Sequence, residues 1–131
     1  MVNSETKKRI TDYRDLDVWN ESMSVAAEIY EITRAFPREE MFGMTSQMRR
    51  ASVSIAANIA EGYGRQQTKP FIQFLRMSQG SLKEFETLLL LAVRVGLTTV
   101  ELAEHEMIRC QRIGKMLVGL VRKLAAKEER P

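Results

Sequence analysis

The sequence predicts an all-α chain folded as an antiparallel, up-down-up-down four-helix bundle. Three observations lead there. Only three prolines and seven glycines punctuate 131 residues, leaving long unbroken stretches. Within these stretches apolar residues recur at steps of three and four, and none shows the period of two that a strand requires. The connections are short, which favours antiparallel neighbours. On this reading residues 1–14 are a flexible N-terminal segment, 15–126 the bundle and 127–131 a frayed, charged tail.

The first helix is expected from about Leu16 to Ala35, with Asp15 as N-cap. Leu16, Trp19, Met23, Ala26, Tyr30 and Thr33 form a heptad seam, and Val18, Val25, Ile29, Ile32 and Phe36 form a second stripe beside it. Pro37 stops the helix, because it lacks an amide donor and disfavours helical geometry at Phe36. The second helix is expected from about Thr45 to Glu61, capped by Thr45 or Ser46. Its inner face carries Met44, Met48, Ala51, Ile55, Asn58 or Ile59, and Gly62. Small residues from Ala51 to Ala57 let a neighbouring backbone come close, and Gly62-Tyr63-Gly64 offers a glycine stop. Asn58 on this face is either a register-fixing buried amide or a cap for a neighbouring loop.

The third helix is expected from about Lys69 to Val95, capped by Thr68, with Pro70 in its first turn. Its seam is Phe71, Leu75, Ser78, Leu82, Phe85, Leu89 and Ala92, widened by Phe74, Met77, Leu88, Leu91 and Val95. Gly80-Ser81 matches the small residues of the second helix at a close crossing, and Gly96 ends the helix. The fourth helix opens on Thr98-Thr99-Val100-Glu101, read as a capping box between Thr98 and Glu101. Ala103, Met107, Cys110, Gly114, Leu117, Val121 and Leu124 form its seam. The first and third helices carry more apolar surface than one buried stripe needs. The surplus either lines the core edges or is an interface between copies of the chain, and the second reading is preferred.

Composition narrows the function classes. Hydrophobic residues at 44% and charged residues at 28% are ordinary for a folded, water-soluble domain. The longest strictly apolar run, Leu88 to Val93, is far shorter than the ~20 residues of a membrane span, and no signal peptide is visible. Cys110 is the only cysteine, which excludes an internal disulfide and fits a reducing, cytoplasmic location.

The residues that do chemistry are scarce. A di-iron carboxylate bundle needs paired Glu-x-x-His units, whereas His105 is the one histidine and Leu102 stands three residues before it. A zinc site of one His and one Cys is not expected either, so no metal, cofactor or catalytic residue is assigned. His105, between Glu104 and Glu106, reads as solvated, and Cys110 as a small buried hydrophobe. Gly62-Tyr63-Gly64-Arg65 lacks the lysine spacing of a Walker loop and the preceding strand of a dinucleotide fingerprint.

Charge is unevenly distributed. Residues 1–40 carry six basic and nine acidic residues, residues 41–80 five and one, and residues 81–131 nine and seven, giving −3, +4 and +2 within a net +3. The basic excess therefore lies on the hairpin of the second and third helices: Arg49, Arg50, Arg65, Lys69 and Arg76. It is either a solvated edge balancing an acidic first helix or a phosphate-contacting surface, with Tyr63 available to stack on a base.

The order of motifs is itself informative. Asp15-Leu16-Asp17-Val18-Trp19 and Tyr30 to Pro37 are followed by Met44-Thr45-Ser46-Gln47-Met48-Arg49-Arg50-Ala51. Then come Ser54-Ile55, Asn58-Ile59-Ala60-Glu61-Gly62 with Gly64-Arg65, Phe74-Leu75, and Gly80 to Glu84. Over about residues 15–97 this string resembles the four-helix-bundle proteins encoded in 23S rRNA intervening sequences. The resemblance implies a homo-oligomeric ring, typically a pentamer. It also implies kinship with a basic, nucleic-acid-binding ring that accompanies retroelement reverse transcriptases. Arg49, Arg50 and Arg65 fall on motif positions, which makes them candidates for RNA contact or for bracing the ring through Glu61 and Glu84. The expected partners are therefore further copies of the chain and RNA or another nucleic acid. The alternative is a scaffold for a protein partner, and neither reading involves a membrane.

Overall fold

A computed structural model describes residues 9–129 and shows four long helices: α1 (Asp17–Thr33), α2 (Ser46–Gly64), α3 (Thr68–Arg94) and α4 (Val100–Glu128). They pack as an up-down-up-down bundle in which each helix lies against its sequence neighbour and α4 closes back onto α1. There is no strand among the described residues, and none of their helices is long and apolar enough to cross a membrane.

The entry to α1 differs from expectation. Asp15 belongs to a preceding 3-10 turn, Tyr13–Asp15, and forms a reciprocal capping box with Asp12. Its Oδ2 accepts hydrogen bonds from the amides of Thr11 and Asp12 and from the Thr11 hydroxyl. With that carboxylate engaged, Leu16 takes the N-cap position of α1 without a side-chain cap. Asn20 Nδ2 donates to the carbonyls of Arg14 and Leu16, and Tyr13 packs edge-on against Trp19 at 5.2 Å. Residues 11–14 of the segment expected to be flexible therefore take part in an ordered turn, while residues 1–8 lie outside the described part.

The seam of α1 is also rotated. Val18, Val25 and Ile29 are buried, whereas Met23 and Tyr30 are 45% and 41% exposed. The branched aliphatic stripe thus faces the core, and two of the six expected seam residues face out, while Ala26 and Thr33 stay buried. Two polar residues come inside with it at little cost, because Ser22 and Thr33 hydroxyls donate to the carbonyls of Val18 and Ile29, four residues back. The helix ends at Thr33, two residues earlier than expected, and Phe36 turns inward before Pro37.

A 3-10 turn, Arg38–Glu40, and a π-helical turn, Met41–Thr45, lead into α2. The inner face of α2 is as expected: Met48, Ala51, Ile55, Ile59 and Gly62 are buried. Helix α2 continues through the glycines to Gly64, and the left-handed residue that breaks it is Gln66 (φ +57°) rather than a glycine. Gly62 serves packing instead. A Cβ there would stand 2.6 Å from Phe74 Cβ, so its absence sets the approach of α3.

Two hydrogen bonds fix this crossing. The Ser78 hydroxyl donates to the Ile55 carbonyl, and the Ser54 and Ser81 hydroxyls share a bond, each at 2.8 Å. Gly80, by contrast, faces open space, so the close approach comes from serines 78 and 81. Asn58 donates to Ser54 on its own helix and bridges to no neighbour.

Helix α3 starts at Thr68, with Gln67 in the cap position, and buries the expected seam from Leu75 to Ala92. Gly96, at φ +81°, ends the run. The cap of α4 is one residue later than expected: Thr99, not Thr98, accepts from the Leu102 amide at 3.1 Å. Helix α4 buries Ala103, Glu106, Cys110, Ile113, Leu117 and Val121. Glu106 and Ile113 thus occupy places that the sequence pattern gives to Met107 and Gly114.

Candidate nucleic-acid interface and a buried carboxylate cluster

The fold separates the five basic candidates into two groups. Arg49 and Arg50 lie near the start of α2, about 22 Å along the axis from Arg65 at its end. Adjacent on that helix, they reach different neighbours. Arg49 Nε donates to Thr33 Oγ1 at 2.8 Å, and its guanidinium lies 4.4 Å from the Tyr30 ring centre, binding α2 to α1. Arg50 pairs with Glu84 of α3 at 2.8 Å. This pair joins two helices of one chain. Both arginines also line a recess with Tyr30, Met41, Phe42 and Val53. Phe42, at the tip of the π turn, is 95% exposed.

The second group sits at the hairpin end. Arg65 pairs with Glu61 and lies over the Phe74 ring at 5.0 Å. Lys69 and Arg76 are exposed and seven residues apart on α3, hence on one side of it and about 10 Å apart along its axis. Arg76 donates to Gln79, and among the described residues neither Lys69 nor Arg76 has an acidic partner. Tyr63 packs edge-on against Phe71 at 5.9 Å, which leaves its ring partly covered.

A second cluster lies at the joint of α1 and α4, where the sequence assigns no site. Glu106 is 1% exposed, and its Oε1 meets no hydrogen-bond donor among the described residues. Burial, and then the nearby Glu28 carboxylate, push its pKa up to about 8. Glu28 is held below its ordinary range by the Glu106 carboxyl beside it and by Arg109. Arg109 Nη1 lies 2.6 Å from Glu28 and Nη2 3.4 Å from Glu21, which Arg112 also approaches at 3.8 Å. His105 is solvated, as expected, at 62% exposure, but its Nε2 stands 3.6 Å from Glu28 Oε1.

Glu28, His105 and Glu106 bring ligand-type atoms within 4.8 Å of one another. The ligand set that the fold assembles is therefore carboxylate-rich, whereas the sequence pointed only to His105 and Cys110. One signal was available. Ala103, Glu106, Cys110, Ile113 and Leu117 also step by three and four, with a glutamate in the series. Cys110 itself is buried, and burial, followed by the Glu86 carboxylate, pushes its thiol up to about 12, so it is no nucleophile.

Comparison with known proteins places these features. The family model described as 23S rRNA-intervening sequence protein matches residues 14–119. No curated protein matches the chain. Among solved structures, a protein of unknown function from the S23 ribosomal protein family of Bacteroides thetaiotaomicron has a TM-score of 0.74 at 28% identity. The match covers 80% of this chain and 95% of that one. It exceeds the span of the sequence motifs, which stop before α4, and the fold is shared along with the family pattern. The chain belongs to the 23S rRNA-intervening sequence protein family.

Proposed function

We propose that this chain is a non-enzymatic, cytoplasmic bundle that assembles with copies of itself, as a ring and most simply a pentamer, and binds RNA or another nucleic acid through phosphate contacts. The observation that carries the nucleic-acid reading is the pair Lys69 and Arg76, exposed on one side of α3 without acidic partners among the described residues and flanked by Arg65. Arg49 and Arg50 are engaged in holding α2 to α1 and α3, so they contribute less to an anion surface. The exposed Phe42 and the apolar recess beside it support self-association, because a monomer gains nothing from such a patch. Assembly matters for affinity. One chain carries +3, and five carry five times that, so weak phosphate contacts would add up through avidity.

Fluorescence titration of a labelled single-stranded RNA and a structured RNA at two salt concentrations tests the reading. Three phosphate contacts per chain give a slope of log K against log salt of about −2 per chain. The Arg65→Ala, Lys69→Ala, Arg76→Ala triple variant should lose most binding, and the Arg49→Ala, Arg50→Ala double variant should lose less. Absence of binding at low salt, or unchanged affinity in the triple variant, contradicts the proposal. In that case Phe42 and its recess favour the scaffold reading, in which the oligomer docks a protein partner.

A further inference from the structure

We propose that Glu28, His105 and Glu106 form a binding site for a divalent transition-metal ion of the zinc class that clamps α1 to α4. The site rests on geometry that the nucleic-acid reading does not use. His105 Nε2 lies 3.6 Å from Glu28 Oε1 and 4.0 Å from Glu106 Oε2. In a tetrahedral site with bonds of about 2.0–2.1 Å, ligand atoms stand about 3.3 Å apart. Closing these two distances by about 0.3 and 0.7 Å, together with the Glu28–Glu106 separation, which is within 4.8 Å, would complete three ligand positions by rotamer adjustment.

The second observation is Glu106 itself. It sits on the core face of α4, 1% exposed, and its Oε1 meets no hydrogen-bond donor among the described residues. A buried polar group without a partner is costly, and native structures retain few of them without a ligand, water or function. A cation at this point supplies the missing partner.

The surroundings resemble an outer shell. Arg109 holds Glu28 by its Oε2, which leaves Oε1 directed toward His105, and Glu21 in turn receives Arg109 and Arg112. Hydrogen-bonded outer partners of this kind orient ligating carboxylates. One imidazole with two carboxylates suits zinc and other first-row ions, whereas magnesium and calcium favour all-oxygen sets. His105 lies at the solvent edge, so water completes the coordination.

Isothermal titration of zinc chloride into the full chain, previously stripped with chelator and dialysed, tests this. Wild type should bind one ion per chain, and zinc should raise its melting temperature. His105→Ala and Glu106→Gln should each weaken binding by roughly 100-fold, with far-ultraviolet circular dichroism confirming that the variants are folded. Glu28→Gln, at a half-exposed ligand, should weaken it likewise and serves if Glu106→Gln fails to fold. Cys110→Ser should leave binding unchanged, and the cobalt-loaded protein should show no thiolate charge-transfer band. No saturable zinc binding, wild-type affinity in the ligand variants, or a thiolate band would each overturn the proposal. Loss of RNA binding alone would leave it intact.

Discussion

The contact of α2 with α3 and the contact of α1 with α4 hold the same bundle by opposite means. The first is the most extensive helix pair in the molecule and is built from small residues. Gly62 meets Phe74, Ser78 bonds across to Ile55, and Ser54 meets Ser81, with apolar side chains filling the space around them. The second is sparser and carries charge: Glu21, Glu28, Glu106, His105, Arg109 and Arg112 meet at one joint. A joint of small residues has one good geometry and tolerates little added volume. A joint with a buried carboxyl, Glu106, and a partly buried guanidinium, Arg109, carries desolvation costs that an apolar joint avoids. The difference suggests that α2–α3 is the rigid half of the bundle and that α1–α4 is where a ligand has most to stabilise.

That contrast can be broken by adding volume to the first joint. Gly62→Ala places a methyl where the Phe74 Cβ already stands, and neither can rotate away. We expect a loss of about 2–3 kcal/mol, read as a lower midpoint in urea. A neutral result would mean that the two helices slide apart freely, and the rigid-half description would fail. The second joint should respond with the opposite sign. In chelator, Glu106→Met replaces a buried carboxyl that has one oxygen without a donor by an apolar chain of similar length, and we expect a gain of about 1 kcal/mol. Destabilisation by that substitution in metal-free protein would show that the carboxyl makes a net favourable contact with Glu28 or Arg109.

The same contrast explains what was legible in the sequence. Four helices, their order, and the inner faces of α2 and α3 follow from the period of apolar residues and from residue size. Those determinants are local. The core face of α1 was misread because two apolar stripes run side by side, and the choice between them depends on how the helix rotates against its neighbours. Met23 and Tyr30 consequently face out, while Val18, Val25 and Ile29 face in. Glu106 was passed over because a glutamate on a seam looks like an interruption of it. Caps shifted for a different reason. Asp15 and Thr98 each have a neighbour able to serve, and which one caps depends on the turn before the helix. The five basic residues were legible as a charged hairpin, but their separation into two groups required the partners of Arg49 and Arg50.

Self-assembly is the claim on which the proposed function turns, because the phosphate contacts of one chain are weak and add up only when several copies present them together. Multi-angle light scattering of the purified protein at micromolar concentration tests it most directly. The account predicts a single species with the mass of several 15.0 kDa chains, five for the pentameric ring, and its dissociation on replacing the exposed Phe42 with a charged residue. A 15.0 kDa monomer across that concentration range would contradict it.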